Sequence, residues 1–299
     1  QRDAALPGSD RVSAASPASI HARLLNLAKA RGEDFNLVLV RYATERFLYR
    51  LSRLPARESY WLKGAMLFDL WFDVAHRPTR DADFLGFGPM ESGVLANTVR
   101  EVCAVAAEDG MSFDADSIVI DEIREDARYG GLRVRLVGRL GNARATVQLD
   151  VGYGDAVTPG PEDAVYPTLL DGQPAPRLRV YPRASVVAEK LEAIVSLGMA
   201  NSRLKDYFDL RALAREGLLD ARQLGEAIAA TFARRGTGVP MEMPLGLTEE
   251  FARDPTKQRQ WQAFLGRNRL QAPSLEQVVR DVRDLVAVPL ALARKGGSK

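Results

Sequence analysis

One short stretch constrains the fold of this chain more than any other, because it combines a glycine, an apolar helix start and two acidic residues. Gly64 opens a predicted helix, and a predicted strand that begins after Pro78 carries Asp81 and Asp83. Side chains alternate along a strand, so both carboxylates lie on one face while Ala82 points into a core. Two adjacent carboxylates repel unless a cation lies between them, and oxygen ligands suit Mg²⁺. The pattern favours a magnesium site, and its alternative is a solvated strand edge or turn.

The order of these features resembles the polymerase-β-type nucleotidyltransferase superfamily. The core of that superfamily is a glycine with a small residue after it, a helix, and a strand that carries Asp-x-Asp. A glycine at a helix start brings backbone N–H groups and the positive end of the helix close to a phosphate. The second residue is usually Gly or Ser, and here it is Ala65. Backbone donation to phosphate is therefore retained, whereas a hydroxyl contact is lost.

Composition narrows the class of protein further. The chain has 299 residues, one cysteine and two histidines, so we expect neither an internal disulfide framework nor a zinc site. No apolar run approaches the length of a membrane span, and residues 1–19 lack the apolar core of a signal peptide, so we expect a cytoplasmic protein. The formal net charge of +2 permits a nucleic-acid partner without indicating one.

The spacing of apolar residues predicts an α+β fold in two parts. Residues 1–18 are expected to form a flexible arm. Residues 19–157 are expected to form a small mixed or antiparallel sheet that is flanked by helices and preceded by two N-terminal helices, and the resemblance implies that this part is the nucleotidyltransferase core. Residues 158–183 are rich in Pro, Gly and Asp and are expected to be a linker with one short strand. Residues 184–295 predict a mainly helical C-terminal domain, with the active site in the cleft between the two parts.

A third carboxylate and a lysine are candidates for the same site. Asp150 lies on the face of its predicted strand that is opposite to the apolar one, so it is either a third carboxylate of a two-metal site or an exposed strand residue. Lys190 lies beside the apolar stripe of a predicted helix, where its amine either extends to water or meets an anion such as a triphosphate. Lys205 and Asp209 are spaced as an exposed ion pair of a helix, or belong to a functional motif.

Five short motifs, taken in order, resemble the AbiEii/AbiGii toxin family of nucleotidyltransferases over about residues 20–290. They are Lys63-Gly64, Arg80-Asp81-Ala82-Asp83, Asp150, Ala188-Glu189-Lys190-Leu191 and Arg203-Leu204-Lys205-Asp206-Tyr207-Phe208-Asp209-Leu210. Members of this family are the toxins of bacterial toxin–antitoxin pairs, first associated with abortive phage infection. Characterised relatives transfer nucleotides from an NTP to the acceptor end of tRNA.

The resemblance implies roles for individual residues. Asp81 and Asp83 would hold Mg²⁺, with Asp150 as the third carboxylate of the metal site. Lys190 would contact the nucleotide phosphates, and Asp206 would be the acidic residue of the last motif. The other residues expected to bind the nucleotide are Lys63, Gly64, Ala65, Arg203 and Lys205.

The resemblance also implies a mechanism and partners. Asp150, or Asp206 in its place, would accept a proton from the attacking hydroxyl. The expected partners are an NTP, the acceptor end of a tRNA and an antitoxin encoded nearby. The cations available for RNA are Arg77, Arg80, Arg203, Lys205, Arg234 and Arg235. The alternatives are nucleotide transfer to a protein, as in AMPylation, and a non-catalytic RNA-binding module.

Overall fold

A mixed sheet of seven strands organises the chain in the computed structural model, which describes residues 16–72, 76–126 and 129–296. The strands are β1 (Tyr60–Lys63), β2 (Asp81–Gly86), β3 (Met111–Asp126), β4 (Tyr129–Leu140), β5 (Ala143–Tyr153), β6 (Glu162–Val165) and β7 (Arg177–Val180). Their order in the sheet is β3-β4-β5-β2-β1-β7-β6. The β2–β5 and β1–β7 pairs are parallel and the other neighbours are antiparallel. Strand β2, with its two carboxylates, therefore lies in the middle of the sheet.

Helices pack on this sheet and then on one another. They are α1 (Pro17–Arg31), α2 (Phe35–Leu51), α3 (Phe68–Trp71), α4 (Ser92–Ala104), α5 (Arg183–Leu197), α6 (Leu204–Glu216), α7 (Ala221–Arg235), α8 (Glu249–Arg253), α9 (Pro255–Asn268) and α10 (Leu275–Gly296). Helices α2 and α4 pack against the sheet, whereas α5, α6, α7 and α10 form the helical C-terminal part. This is the α+β architecture that the apolar spacing predicts.

The segment after Gly64 is shorter and tighter than the continuous helix that we expected. Residues Gly64–Leu67 form a 3₁₀ turn, and α3 adds only four residues. The reason is that Met66, Leu67 and Phe68 are consecutive and all buried. Three adjacent buried side chains suit a turn enclosed on several sides rather than a helix with one apolar face.

Residues 158–183, expected to be a linker, contribute two strands to the sheet. Strand β7 lies parallel to β1 with Val180 opposite Leu62, and both side chains are buried. The edge strand β6 was missed because its side chains are mostly exposed and give no alternating apolar pattern. The side chain of Ser185 in α5 bonds to the backbone of Thr158. This contact fixes the start of the segment to the helix that follows it.

The last helix continues through a proline. Pro289 lies inside α10, which runs on to Gly296 and packs against α7 and α6. Residues 1–15, most of the arm expected at 1–18, lie outside the described residues. Among the helices that the structure describes, none has the length and apolar character required to cross a membrane.

Candidate active site

The glycine and the second carboxylate of the Asp-x-Asp pair are in direct contact. Strands β1 and β2 are antiparallel, which places Lys63 opposite Asp83. The chain then turns at Gly64 with φ of 74°. A Cβ atom at Gly64 would lie 1.9 Å from the Oδ2 atom of Asp83. Only glycine allows this approach, both because of the positive φ and because the carboxylate occupies the space of a side chain.

The three predicted carboxylates lie on neighbouring strands of the sheet. Ala82 is fully buried, which leaves Asp81 and Asp83 on the opposite face of β2. In the parallel β2–β5 pair Asp83 is directly opposite Asp150. Arg133 on β4 donates two hydrogen bonds to Asp150, of 2.8 and 2.6 Å. Asp150 is thus buried and ion-paired rather than an exposed strand residue.

Burial and mutual repulsion raise the pKa of two of these carboxylates. Burial raises the pKa of Asp83 to about 6; Lys63 opposes this rise, and the carboxylates of Asp150 and Asp81 add to it. Burial also raises the pKa of Asp81, with Asp150 as the next cause. The negative charge on this face is therefore under-compensated. A bound cation would relieve the repulsion.

The donor set suits Mg²⁺ held together with a substrate. Among the described residues no group of three His, Cys, Asp or Glu side chains is arranged to hold a metal by itself. Mg²⁺ usually takes only one or two carboxylates and completes its octahedron with water and substrate phosphates. Asp81 and Asp83 fit that requirement, whereas the role of Asp150 as a third ligand remains a prediction.

Lys190 of α5 is held by two carboxylates of α6. Its Nζ atom lies 2.6 Å from Oδ1 of Asp206 and 2.8 Å from Oδ2 of Asp209. Both aspartates have no exposed surface. Burial by itself would lower the pKa of Lys190, but Asp206 and Asp209 raise it above its usual value. Lys190 therefore stays charged, and the anion that it meets here belongs to the protein.

Asp209 also holds the segment that leads into β2. It accepts hydrogen bonds from Nε of Arg77 at 2.8 Å and pairs with Nε2 of His76 at 2.9 Å. Burial would raise the pKa of Asp209, but Lys190 and Arg77 hold it well below its usual range. The interpretation of Asp209 as an exposed partner of Lys205 is wrong, because Asp209 is buried and Lys205 is exposed.

A second group of ion pairs surrounds Lys63. Its Nζ atom lies 2.7 Å from Oδ2 of Asp155 and 3.5 Å from Oε2 of Glu189. Arg235 contacts the same two acids, at 3.2 and 3.4 Å. Sequence reasoning did not assign a role to Asp155 or Glu189. The only signal for Glu189 is its position next to Lys190 in the fourth motif.

These residues enclose a cleft of about 200 Å³. The predicted site residues that line it are Lys63, Gly64, Ala65, Asp83, Asp150, Lys190, Arg203, Lys205 and Asp206. Of the arginines proposed for RNA, Arg77 and Arg235 also line the cleft. Arg80 lines a different cleft, and Arg234 bonds to the backbone of Gly154. Most of the motif residues therefore converge on one cavity although they lie up to about 140 positions apart in the chain.

The site combines a glycine turn with the Asp-x-Asp strand against which it packs, and helices later in the chain contribute the cations. This combination is characteristic of a nucleotidyltransferase. The chain belongs to the family described as nucleotidyl transferase AbiEii toxin of type IV toxin–antitoxin systems, which it matches over residues 46–288. The match covers all five motifs. Membership of this toxin family implies a cognate antitoxin as a partner.

Two solved structures are similar to this chain. JHP933 from Helicobacter pylori has 16% sequence identity and a TM-score of 0.46, with 92% of this chain and 95% of that chain covered. A second H. pylori protein, assigned provisionally to the nucleotidyltransferases, has 17% identity and a TM-score of 0.45, with 91% and 96% covered. No curated protein matches the sequence. The family assignment therefore depends on the family match.

Proposed function

We propose that this protein transfers a nucleotide from an NTP to the 3′ hydroxyl of an RNA, with the acceptor end of tRNA as the target, and thereby inhibits growth. The observation that carries this proposal is the contact of the Gly64 turn with Asp83, beside Asp81 and Asp150 on the same sheet face. Backbone N–H groups and carboxylates then meet where a triphosphate and its metal would lie.

The cations of the cleft suit a triphosphate. The ammonium of Lys190 has three N–H donors, and Asp206 and Asp209 occupy two of them. The third is available to a phosphate oxygen, because Lys190 lines the cleft. Arg203 and Lys205 are exposed on the same side and add positive charge at the mouth. The buried aspartates would thus orient the lysine rather than contact the substrate.

The residues of β2 and β5 would perform the transfer. Asp81 and Asp83 would hold Mg²⁺, which neutralises charge on the triphosphate and on the leaving pyrophosphate. The RNA 3′ oxygen forms a bond to the α-phosphorus while the bond to the β-phosphate oxygen breaks. The hydroxyl proton passes to a carboxylate of the chain, and we assign this role to Asp150. Asp206 is the weaker candidate, because it is fully buried between Lys190 and Arg203.

The reaction is tested by incubating the protein with Mg²⁺, each labelled NTP in turn and total bacterial RNA. We expect label in small RNA, and sequencing of the labelled 3′ ends identifies the acceptor and the nucleotide. The Asp83→Asn variant serves as the control and should transfer nothing. Label that appears only in polypeptide would overturn the RNA acceptor and support modification of a protein.

Growth inhibition is tested separately in living cells. Expression should arrest growth, co-expression of the cognate antitoxin should relieve the arrest, and Asp81→Asn should abolish it. Arrest that persists in Asp81→Asn would refute catalysis as the cause and support sequestration of RNA instead.

A further inference from the structure

A row of four charged side chains crosses the sheet at the candidate site. In the β4–β5 pair Arg133 lies directly opposite Asp150, and in the β5–β2 pair Asp150 lies directly opposite Asp83. In the β2–β1 pair Asp83 lies opposite Lys63. Residues directly opposite one another in neighbouring strands point to the same face of a sheet. Two adjacent carboxylates therefore lie between two cations on the face that would bind the triphosphate.

The two cations of this row differ in the acids that they contact. The Nζ atom of Lys63 lies 2.7 Å from Oδ2 of Asp155 and 3.5 Å from Oε2 of Glu189, and both acids lie outside the row. Arg133 instead donates to Asp150, from Nε at 2.8 Å and from Nη2 at 2.6 Å. A bidentate pair of this kind is among the stronger hydrogen-bonded ion pairs in proteins. The protein itself therefore neutralises the charge of Asp150.

The same contacts use most of the acceptor positions of Asp150. Each carboxylate oxygen has about two lone pairs. Oδ1 accepts from Arg133 and lies 3.4 Å from Nε2 of Gln148, whereas Oδ2 accepts from Arg133 alone within the described part of the chain. The lone pair of Oδ2 that remains can accept the proton of the attacking hydroxyl. A second Mg²⁺ bound there would lie beside the guanidinium, and the two cations would repel each other.

Charge balance then favours one metal ion. The three carboxylates of the site carry three negative charges, and Arg133 neutralises one of them. A single Mg²⁺ neutralises the other two. We propose that Arg133 takes the place of a second metal ion, so that the site binds one Mg²⁺, on Asp81 and Asp83. This inference rests on the proposed nucleotide transfer, in which Asp150 accepts the proton. Arg133 is thus a positioning residue that acts through Asp150.

The number of bound metal ions tests the proposal without turnover. The wild-type protein is dialysed against Mn²⁺ and the α,β-methylene analogue of each NTP in turn, and the bound Mn²⁺ and the bound analogue are both counted. We expect one Mn²⁺ for each bound analogue, since Mn²⁺ prefers the same oxygen ligands as Mg²⁺. A ratio of two would overturn the proposal, and so would the absence of bound Mn²⁺ with every analogue.

A variant without the ion pair tests whether Asp150 is a metal ligand. Arg133→Gln with Asp150→Asn removes one positive and one negative charge, so the net charge of the site is unchanged. Removing a direct carboxylate ligand should weaken Mn²⁺ binding by at least about tenfold, the smallest effect typical even of outer-shell partners. We expect the double variant to lose less than this, whereas Asp83→Asn should lose Mn²⁺ binding. A loss of tenfold or more in the double variant would make Asp150 a ligand and refute the assignment.

The single variant Arg133→Gln tests whether the guanidinium excludes a second metal ion. It leaves Asp150 without its partner beside Asp83, so it should bind two Mn²⁺ for each analogue and melt at a lower temperature without metal. Arg133→Lys keeps the charge without the planar fork and should still bind one Mn²⁺. Arg135→Gln is the matched control and should behave like the wild type, because Arg135 lies on the same face of β4 and pairs with Asp121 of the edge strand β3. A ratio of one for Arg133→Gln would refute the exclusion.

Transfer assays on RNA separate this inference from the proposed function. Arg133→Gln should lower kcat by about 100-fold with the KM for NTP unchanged, because a displaced Asp150 affects the reacting hydroxyl rather than the triphosphate. An unchanged kcat would refute the positioning role. If the wild type transfers no nucleotide to any RNA, the proposed function fails, and the metal count still decides this inference. If the wild type transfers to RNA and binds two Mn²⁺, only this inference fails.

Discussion

Replacing Gly64 by alanine should inactivate the enzyme while leaving it folded. The new Cβ atom would lie 1.9 Å from Oδ2 of Asp83, and ordinary contact begins at about 3.4 Å. The carboxylate must therefore move by about 1.5 Å, or the Gly64 turn must open. A displacement of about 1 Å of a positioning group can cost about 100-fold in rate. We expect transfer to fall by at least about 100-fold.

The effect on stability should be small and can be separated from the effect on activity. Alanine in the left-handed region costs about 1–2 kcal/mol. Gly172 provides the matched control, because its φ is 80° and a Cβ atom there would meet nothing within 4 Å. Gly172→Ala should therefore show the same loss of stability with full activity.

The assay is single-turnover transfer of labelled nucleotide, with thermal denaturation of both variants in parallel. Near wild-type transfer by Gly64→Ala would refute the reasoning, since it would mean that the position of Asp83 against the turn is not required. Equal inactivation of Gly172→Ala would show that strain alone, rather than the clash with Asp83, is responsible.

Three further predictions concern the charges of the site. The pKa of Asp83 is raised to about 6, so its protonated form stabilises the fold fully below about pH 4, and this stabilisation is lost as the pH rises through about 6. Metal-free Asp83→Asn should therefore melt at a higher temperature than the wild type at pH 7 and at the same temperature at pH 4. Calorimetry that finds no such difference would contradict the crowding of the carboxylates. Lys190→Met should abolish transfer, and it should lower the free energy of unfolding by about 3–5 kcal/mol in chemical denaturation, because Asp206 and Asp209 lose their lysine partner. Lys205→Met, at an exposed position, should change stability little. An active Lys190→Met enzyme would refute the phosphate role. Chelation with EDTA should stop transfer and added Mg²⁺ should restore it, and transfer that continues in excess EDTA would exclude the metal proposal.

Local patterns were sufficient to predict much of the fold. Alternation within β2 and β5 predicts which face carries Asp81, Asp83 and Asp150, because the direction of a strand side chain depends only on its position in the strand. The edge strand β6 and the shortness of α3 could not be predicted in this way. Strand β6 has mostly exposed side chains and depends on its pairing with β7, and α3 is enclosed by the surrounding core.

The sequence predicted most residues of the site but not the ion pairs that they form with one another. The Lys190 motif and the Asp206 motif are visible in sequence, whereas the contacts of Asp209 with Arg77 span 132 positions. The pairing of Lys63 with Asp155 spans 92 positions. Such ion pairs have no local signature, because any of the many acids of the chain satisfies the charge requirement. For Asp209, the spacing of two acids three residues apart on one helix was the only signal, and it equally suits an exposed face.

The ion pair between Asp209 and Arg77 also affects when the site of the toxin can form during synthesis. Synthesis proceeds from the N-terminus and domains tend to fold in that order, so β2 with both metal-binding candidates exists before α5 and α6 have been translated. At that stage the segment that leads into β2 lacks its anchor, and Lys190 is absent. A polypeptide released before residue 209 would carry the carboxylate pair without the groups that position it. The cell is therefore exposed to an assembled site only once about two thirds of the protein has been produced.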